Sequence, residues 1–329
     1  MDSGSKLRKL VASYSDKGEF MRIAEEIIKE EEMKKNNLLA KDLKNILDYE
    51  NNISNSKFLK LPLDNERGLP LLEIRKSKKD WTDLVVTNKI RQLLENIIEE
   101  NNKRDILNVY GLRPKQKIMF FGPPGCGKTL SAQVLSGIMG YPLIYVRFDG
   151  VISSYLGEIS GNLRKIFDFI KDGKWIVLFD EFDIIGKQRD DPYEHGEMKR
   201  VVNNFLQMID GFFGESIVIC ATNHQYLLDF AIWRRFDEII FFDIPNKENR
   251  IKLLKRNLRS FRTSSIDYQM LAEKMDGMSP ADIEMICINT IKRNILDNKG
   301  FISDEDINKQ LSIQREKIKF QKMSVVAGD

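Results

Sequence analysis

Cysteine is scarce in this chain. Cys126, Cys220 and Cys287 are its only three in 329 residues, far apart and with no CxxC pair. Disulfide frameworks are denser than this, so a reducing cytosol is the expected setting. Histidine is scarcer, with His195 and His224 alone and no HExxH, which excludes a zinc-protease helix of that type. Neither is expected to bind a metal. No apolar run approaches the roughly 20 residues of a membrane span. The start, MDSGSKLRKL, has positive charge but no following apolar stretch of leader type. A soluble intracellular protein with no membrane partner is expected. Charge of one sign is also lacking, because Lys+Arg is 52 against Asp+Glu 49, a formal +3. That balance supplies no bulk attraction for nucleic acid.

Charge itself is plentiful, at 31% of residues, and 42% are hydrophobic, enough for one large or two modest domains rich in amphipathic helices. Residues 1–57 are polar and helix-forming. Phe20, Ile23, Ala24, Ile27 and Ile28, then Leu39, Leu43, Ile46 and Leu47, recur near helical spacing and predict a hairpin of two helices packed face to face. Residues 58–80 carry Pro62, Gly68, Pro70 and clustered charge, and predict a linker. From 81 to 245 a helix, TNKIRQLLENIIEENNKRDIL, precedes five short apolar runs: KIMFF, LIYVRF, WIVLFD, SIVICAT and EIIFFDI. Such runs alternating with helical patterns predict an α/β fold, a parallel sheet with helices on both faces. Residues 246–329 are helical in pattern and predict a small separate helical domain.

Residues 122–130 read GPPGCGKTL, between a predicted strand and a predicted helix. This is the pattern of a phosphate-binding loop. Gly122, Gly125 and Gly127 let backbone approach an anion closely, with Pro123, Pro124, Cys126 and Leu130 completing the wrap. Lys128 places a charge on the β- and γ-phosphates of ATP, the Thr129 hydroxyl ligates Mg²⁺, and the helix N-terminus faces the phosphates. In IVLFDE two acids end a buried strand, where ligands bind in such sheets. Asp180 is expected to hold Mg²⁺ with Thr129, and Glu181 to polarise the attacking water. A thiol at Cys126, at a helix N-terminus beside Lys128, is expected to have a lowered pKa.

From about Trp81 to Arg293 the chain resembles the AAA subgroup of AAA+ ATPases, P-loop NTPases with a C-terminal helical lid. SIVICATNHQYLLDFAIWRRFDEIIFFDIP is similar to the subgroup's second homology region, and Asn223 matches the sensor that positions the hydrolytic water. GVISSYLGE resembles the first pore loop, with Tyr155, Leu156 and Gly157 at its gripping positions. QMIDGF resembles an intersubunit signalling segment. In DGMSPADIE, Pro280-Ala281 stands where Gly-Ala touches adenine in the family, which carries a nucleotide contact over to Ala281. WRRFDE is shorter than the family's paired arginine-finger segment. Arg235 matches the finger before Phe-Asp, Glu238 replaces the second finger, and Arg234 is the candidate substitute.

The resemblance implies a homo-oligomeric ring, a hexamer, that hydrolyses ATP with Mg²⁺ at its subunit interfaces. It remodels or translocates protein clients gripped by Tyr155, and the N-terminal region recruits client or adaptor. Two other readings stay open. One is a regulatory ATPase switch gating a partner enzyme, since the chain also looks like small bacterial AAA ATPases encoded beside subtilisin-like proteases. The other is a nucleic-acid motor or loader, against which the near-neutral charge counts. The ending, SVVAGD, lacks the hydrophobic-Tyr-any pattern expected for docking on a proteasome-like chamber.

Overall fold

The structure is a computed structural model and describes residues 9, 13, 17–33, 43, 61–64, 68–146, 156–182, 195–224, 230–264 and 266–326. A six-stranded sheet runs in the order β1-β3-β4-β5-β2-β6. Its strands are β1 (Leu72–Arg75), β2 (Lys117–Phe121), β3 (Leu143–Val146), β4 (Ile176–Phe179), β5 (Ile217–Thr222) and β6 (Glu238–Phe241). The last five are the five predicted apolar runs, and their pairings are all parallel. Strand β1 is a correction to the expected linker. It pairs antiparallel with β3, Leu72 opposite Val146 and Arg75 opposite Leu143. A single hydrogen-bonding neighbour and a half-exposed face let it carry the charged residues that masked it in the sequence.

Period-2 alternation divides the parallel strands between two cores. Met119, Ile144, Val177, Phe179, Val218 and Cys220 face one side. There they meet apolar residues of α5 (Leu156–Lys171) and α6 (His195–Asp210), among them Ile159, Leu163, Phe205 and Ile209. Ile118, Phe120, Ile176, Leu178, Ile217 and Ile219 face the other side. They meet Ile90, Leu94 and Ile97 of α2 (Asn88–Asn102) and Ala132 and Leu135 of α4 (Lys128–Met139). Burial on both faces is why β4 and β5 read as unbroken apolar runs rather than alternating ones. Thr87 caps α2, its Oγ1 accepting from the Ile90 N–H. The predicted long helix breaks at Lys103 and continues as the short α3 (Arg104–Val109).

Beyond the short α7 (Phe230–Trp233), a third hydrophobic cluster lies among α8 (Lys247–Leu258), α9 (Tyr268–Lys274), α10 (Pro280–Leu296) and α11 (Asp304–Val326). Leu254, Leu271, Ile283 and Ile307 are fully buried there, and Val85 from the segment before α2 packs against it. At the other end of the chain, α1 (Lys17–Met33) buries Ala24 and Ile28, and Leu43 packs on them. The rest of the second predicted N-terminal helix lies outside the described residues. No described helix is long and apolar enough to cross a membrane.

Candidate nucleotide site

Parallel strands β2, β4 and β5 deliver their C-terminal ends to one edge of the sheet, and the loop 122–127 leaves β2 there. All three of its glycines have positive φ: Gly122 at 134°, Gly125 at 74° and Gly127 at 96°. Gly122 also admits no side chain, since a Cβ there would lie 2.1 Å from the Phe242 carbonyl oxygen. Gly127 caps α4, which opens at Lys128. Lys128 is buried, and its ammonium donates to the carbonyls of Gly122 (2.7 Å) and Pro123 (2.9 Å), so it lies inside the arc of the loop.

Thr129 Oγ1 donates to Asp180 Oδ2 at 2.7 Å, joining the first turn of α4 to the end of β4. Asp180 Oδ1 accepts from the Glu181 N–H at 3.0 Å. A hydroxyl and a carboxylate in contact make a hard-oxygen donor set, which suits Mg²⁺. Glu181 has φ 53°, the left-handed region that a residue with a Cβ enters at a cost of about 1–3 kcal/mol. Phe182 is buried, and its N–H donates to the Ala221 carbonyl at 2.8 Å, which ties the strained turn to β5 and leaves Glu181 exposed.

Thr129, Asp180 and Glu181 line a cleft of about 340 Å³ together with Asn223, just past the end of β5, whereas Gly122 and Pro123 do not line it. Its remaining wall includes Pro124, Gly125, Cys126, Gly127, Lys128 and Leu130. Pro280 and Ala281 at the start of α10 add to the wall. Ser279 and Asp282 form a capping box that sets the start of α10, and the Ala281 N–H donates to the Gly125 carbonyl at 3.2 Å. Replacing glycine by Pro280 therefore does not remove this segment from the cleft, because proline sits at N1, where no intrahelical N–H partner is needed.

Five lining residues and one neighbour of Asp180 carry little signal in the sequence. Leu84 and Val85 form an apolar wall beside Leu253, and Arg256 and Glu284 add polar groups from the lid. Arg256 donates to the Asp83 carbonyl and to Asn257 Oδ1, which fixes it between the lid and the segment before α2. Tyr145, third in β3, donates from its hydroxyl to Asp180 Oδ2 at 3.3 Å. The only cue to Tyr145 in sequence was an aromatic near the end of a strand adjoining the Asp180 strand. The expectation for Cys126 is overturned. Its thiol is buried, and burial pushes its pKa up to about 11 despite the opposing charge of Lys128.

Arg234 and Arg235 do not line this cleft. Arg235 Nε donates to Asp210 Oδ2 at 3.1 Å, linking the predicted finger to the Asp-Gly-Phe segment at the end of α6. Asp237 then accepts from the Gln116 and Lys117 N–H groups, both at 2.9 Å, which anchors the turn to β2. Glu238 is engaged by Lys115 at 2.8 Å. Tyr155 lies outside the described residues. Leu156 and Gly157 open α5, and nothing is described of their side chains.

Comparison with known proteins agrees with this geometry. The family described as ATPase family associated with various cellular activities (AAA) matches residues 118–244, a span that holds the glycine loop, Asp180, Glu181 and Asn223. The chain is 36% identical over 315 residues to an uncharacterised AAA family ATPase of Sinorhizobium fredii, covering 94% of this chain and 95% of that one. It is 31% identical over 268 residues to the proteasome-activating nucleotidase of Pyrococcus horikoshii, covering 74% of this chain and 67% of that one. With the corresponding protein of Thermococcus onnurineus the identity is 28% over 270 residues, 75% of this chain and 68% of the other. This chain belongs to the AAA family of ATPases.

Proposed function

We propose that this ATPase hydrolyses ATP with Mg²⁺ at the interfaces of a homo-oligomeric ring, a hexamer, and uses turnover to unfold or translocate protein clients. The observation that carries the hydrolytic part is the Thr129–Asp180 contact at 2.7 Å, with Glu181 and Asn223 lining the same cleft. Thr129 and Asp180 hold the cation. When bound, Mg²⁺ neutralises charge on the β- and γ-phosphate oxygens. Lys128 swings from the loop carbonyls to the phosphates. Glu181 accepts a proton from the attacking water, Asn223 orients that water, and Ala281 seats the base edge of the nucleotide on the lid. Arg235, supplied by the neighbouring subunit, stabilises charge that develops in the transition state, and Arg234 stands beside it as a second donor. The ion pair of Arg235 with Asp210 of its own chain is exposed, and such a pair is worth little.

Protein remodelling is supported by similarity to proteasome-activating nucleotidases over about three quarters of the chain. In this reading Tyr155 grips the threaded polypeptide, the N-terminal region recruits client or adaptor, and a partner protease receives the product. The test is stimulation of ATPase activity by an unfolded protein and by single-stranded DNA across a salt series. The proposal expects stimulation by protein, with loss of client unfolding but retained basal turnover in Tyr155→Ala. Salt-sensitive stimulation by DNA alone would overturn it in favour of a nucleic-acid motor. No stimulation by either, with client function intact in Tyr155→Ala, would make the chain a switch.

A further inference from the structure

Asp180 is held from more sides than the metal-site reading requires. Its Oδ2 accepts two hydroxyls, Thr129 Oγ1 at 2.7 Å and Tyr145 OH at 3.3 Å, while Oδ1 accepts the Glu181 N–H at 3.0 Å. Thr129 is itself a candidate ligand for the cation, and Tyr145 is not. Tyr145 is in turn clamped from outside the parallel sheet. The guanidinium of Arg75, at the end of edge strand β1, lies 4.5 Å from the centroid of its ring. Glu73, directly opposite Tyr145 in the β1–β3 register, accepts from Arg75 Nη2 at 2.8 Å and keeps the guanidinium over the ring.

We infer that Tyr145 is a positioning residue for Asp180: clamped by Arg75, its hydroxyl fixes the carboxylate in the orientation that receives Mg²⁺. This inference rests on the reading of Asp180 as a Mg²⁺ ligand. A carboxylate at a strand end rotates freely unless its oxygens are held, and a cation site gains from a donor that removes this freedom without adding charge. A neutral phenol is such a donor. A phenol, with an ordinary pKa near 10, keeps its proton at neutral pH. Strand β1 thereby acquires a purpose beyond closing the sheet edge, since it brings the clamp to the ring.

The test uses the full chain, a fluorescent ATP analogue, and binding measured in Mg²⁺ or in EDTA. Tyr145→Phe keeps the ring and the Arg75 contact and removes only the hydroxyl. It should bind the analogue as wild type does in EDTA and lose about tenfold of the Mg²⁺-dependent gain in affinity, the usual scale for a group that orients a metal ligand. Arg75→Gln should shift the same quantity in the same direction by less. Asp180→Ala tests the underlying reading separately, because it should abolish the gain altogether. A full Mg²⁺ gain in Tyr145→Phe, with the gain lost in Asp180→Ala, would overturn the inference alone. A full gain in Asp180→Ala would remove the metal reading and the inference with it. Equal weakening of Tyr145→Phe in EDTA and Mg²⁺ would assign the tyrosine a packing role and overturn its positioning one.

Discussion

A methyl group at Gly122 is the smallest change that should break this site, and its cost follows from the coordinates. The added Cβ would lie 2.1 Å from the Phe242 carbonyl oxygen and 2.9 Å from its carbonyl carbon. That backbone cannot swing aside as a side chain would, because the Phe242 N–H donates to the Phe121 carbonyl at 2.8 Å and holds the chain against β2. Either the end of β6 or the loop must move. Overpacking of this kind costs about 1–3 kcal/mol. The φ of 134° adds strain of about 1–3 kcal/mol for a residue with a Cβ. Gly122→Ala should therefore lose about 2–6 kcal/mol, from a total stability of about 5–15 kcal/mol typical of such chains. Gly127→Ala supplies the contrast. Its φ is 96°, but the nearest neighbour is Leu84 Cδ1 at 3.7 Å, so strain alone applies, about 1–3 kcal/mol. Gly161, inside α5 with nothing within 4 Å, is the control, where alanine should be neutral or stabilising by up to about 1 kcal/mol. Urea unfolding followed by circular dichroism ranks the three by their midpoints at constant slope. A Gly122→Ala midpoint equal to wild type, or a larger loss for Gly127→Ala, would mean that the Phe242 backbone does not limit position 122.

Three further outcomes are expected. Cys126 should resist alkylation: a pKa of about 11 against the ordinary 9.0 leaves about a hundredfold less thiolate at pH 8. Below that pKa its labelling rate should climb about tenfold per pH unit, and mass spectrometry showing fast labelling with a plateau near neutral pH would contradict this. Arg235→Ala should bind nucleotide normally and lose about 10³–10⁵ in turnover. The Asp210 ion pair is exposed and worth about 1 kcal/mol at most, so unchanged thermal stability would separate catalysis from folding. Mixing Arg235→Ala with Glu181→Gln subunits should restore some activity, because certain interfaces then carry neither defect; no recovery in mixed rings shown to assemble would count against a shared site.

The parallel strands were legible because burial on both faces demands continuous apolar residues, and IVLF and IVICAT supply them. LEIR was not, because an edge strand with Glu73 and Arg75 facing outward has the composition of a loop. The same division runs through the site. Gly122, Lys128, Thr129, Asp180 and Glu181 announce themselves because each sits in a short local pattern whose chemistry is set by its immediate neighbours. Arg256 and Glu284 reach the cleft, and Tyr145 reaches Asp180, from elements distant in sequence, and no spacing rule encodes those meetings. Cys126 shows how local reasoning fails when packing intervenes. Its sequence neighbours argue for an acidic thiol, but the walls of the loop bury it and reverse the direction.

In the proposed function this cleft binds ATP through Lys128 and hydrolyses it through Glu181. Glu181→Gln preserves the side-chain shape at the strained φ of 53° and removes only the basic oxygen. Nucleotide affinity and single-turnover hydrolysis, measured together on this variant and on Lys128→Ala, separate the two roles. Lys128→Ala should lose ATP binding. Glu181→Gln should bind ATP about as tightly as wild type and hydrolyse it at least about 10²-fold more slowly, the lower end of what a positioned proton acceptor contributes. Wild-type hydrolysis by Glu181→Gln would mean that Glu181 is not the proton acceptor.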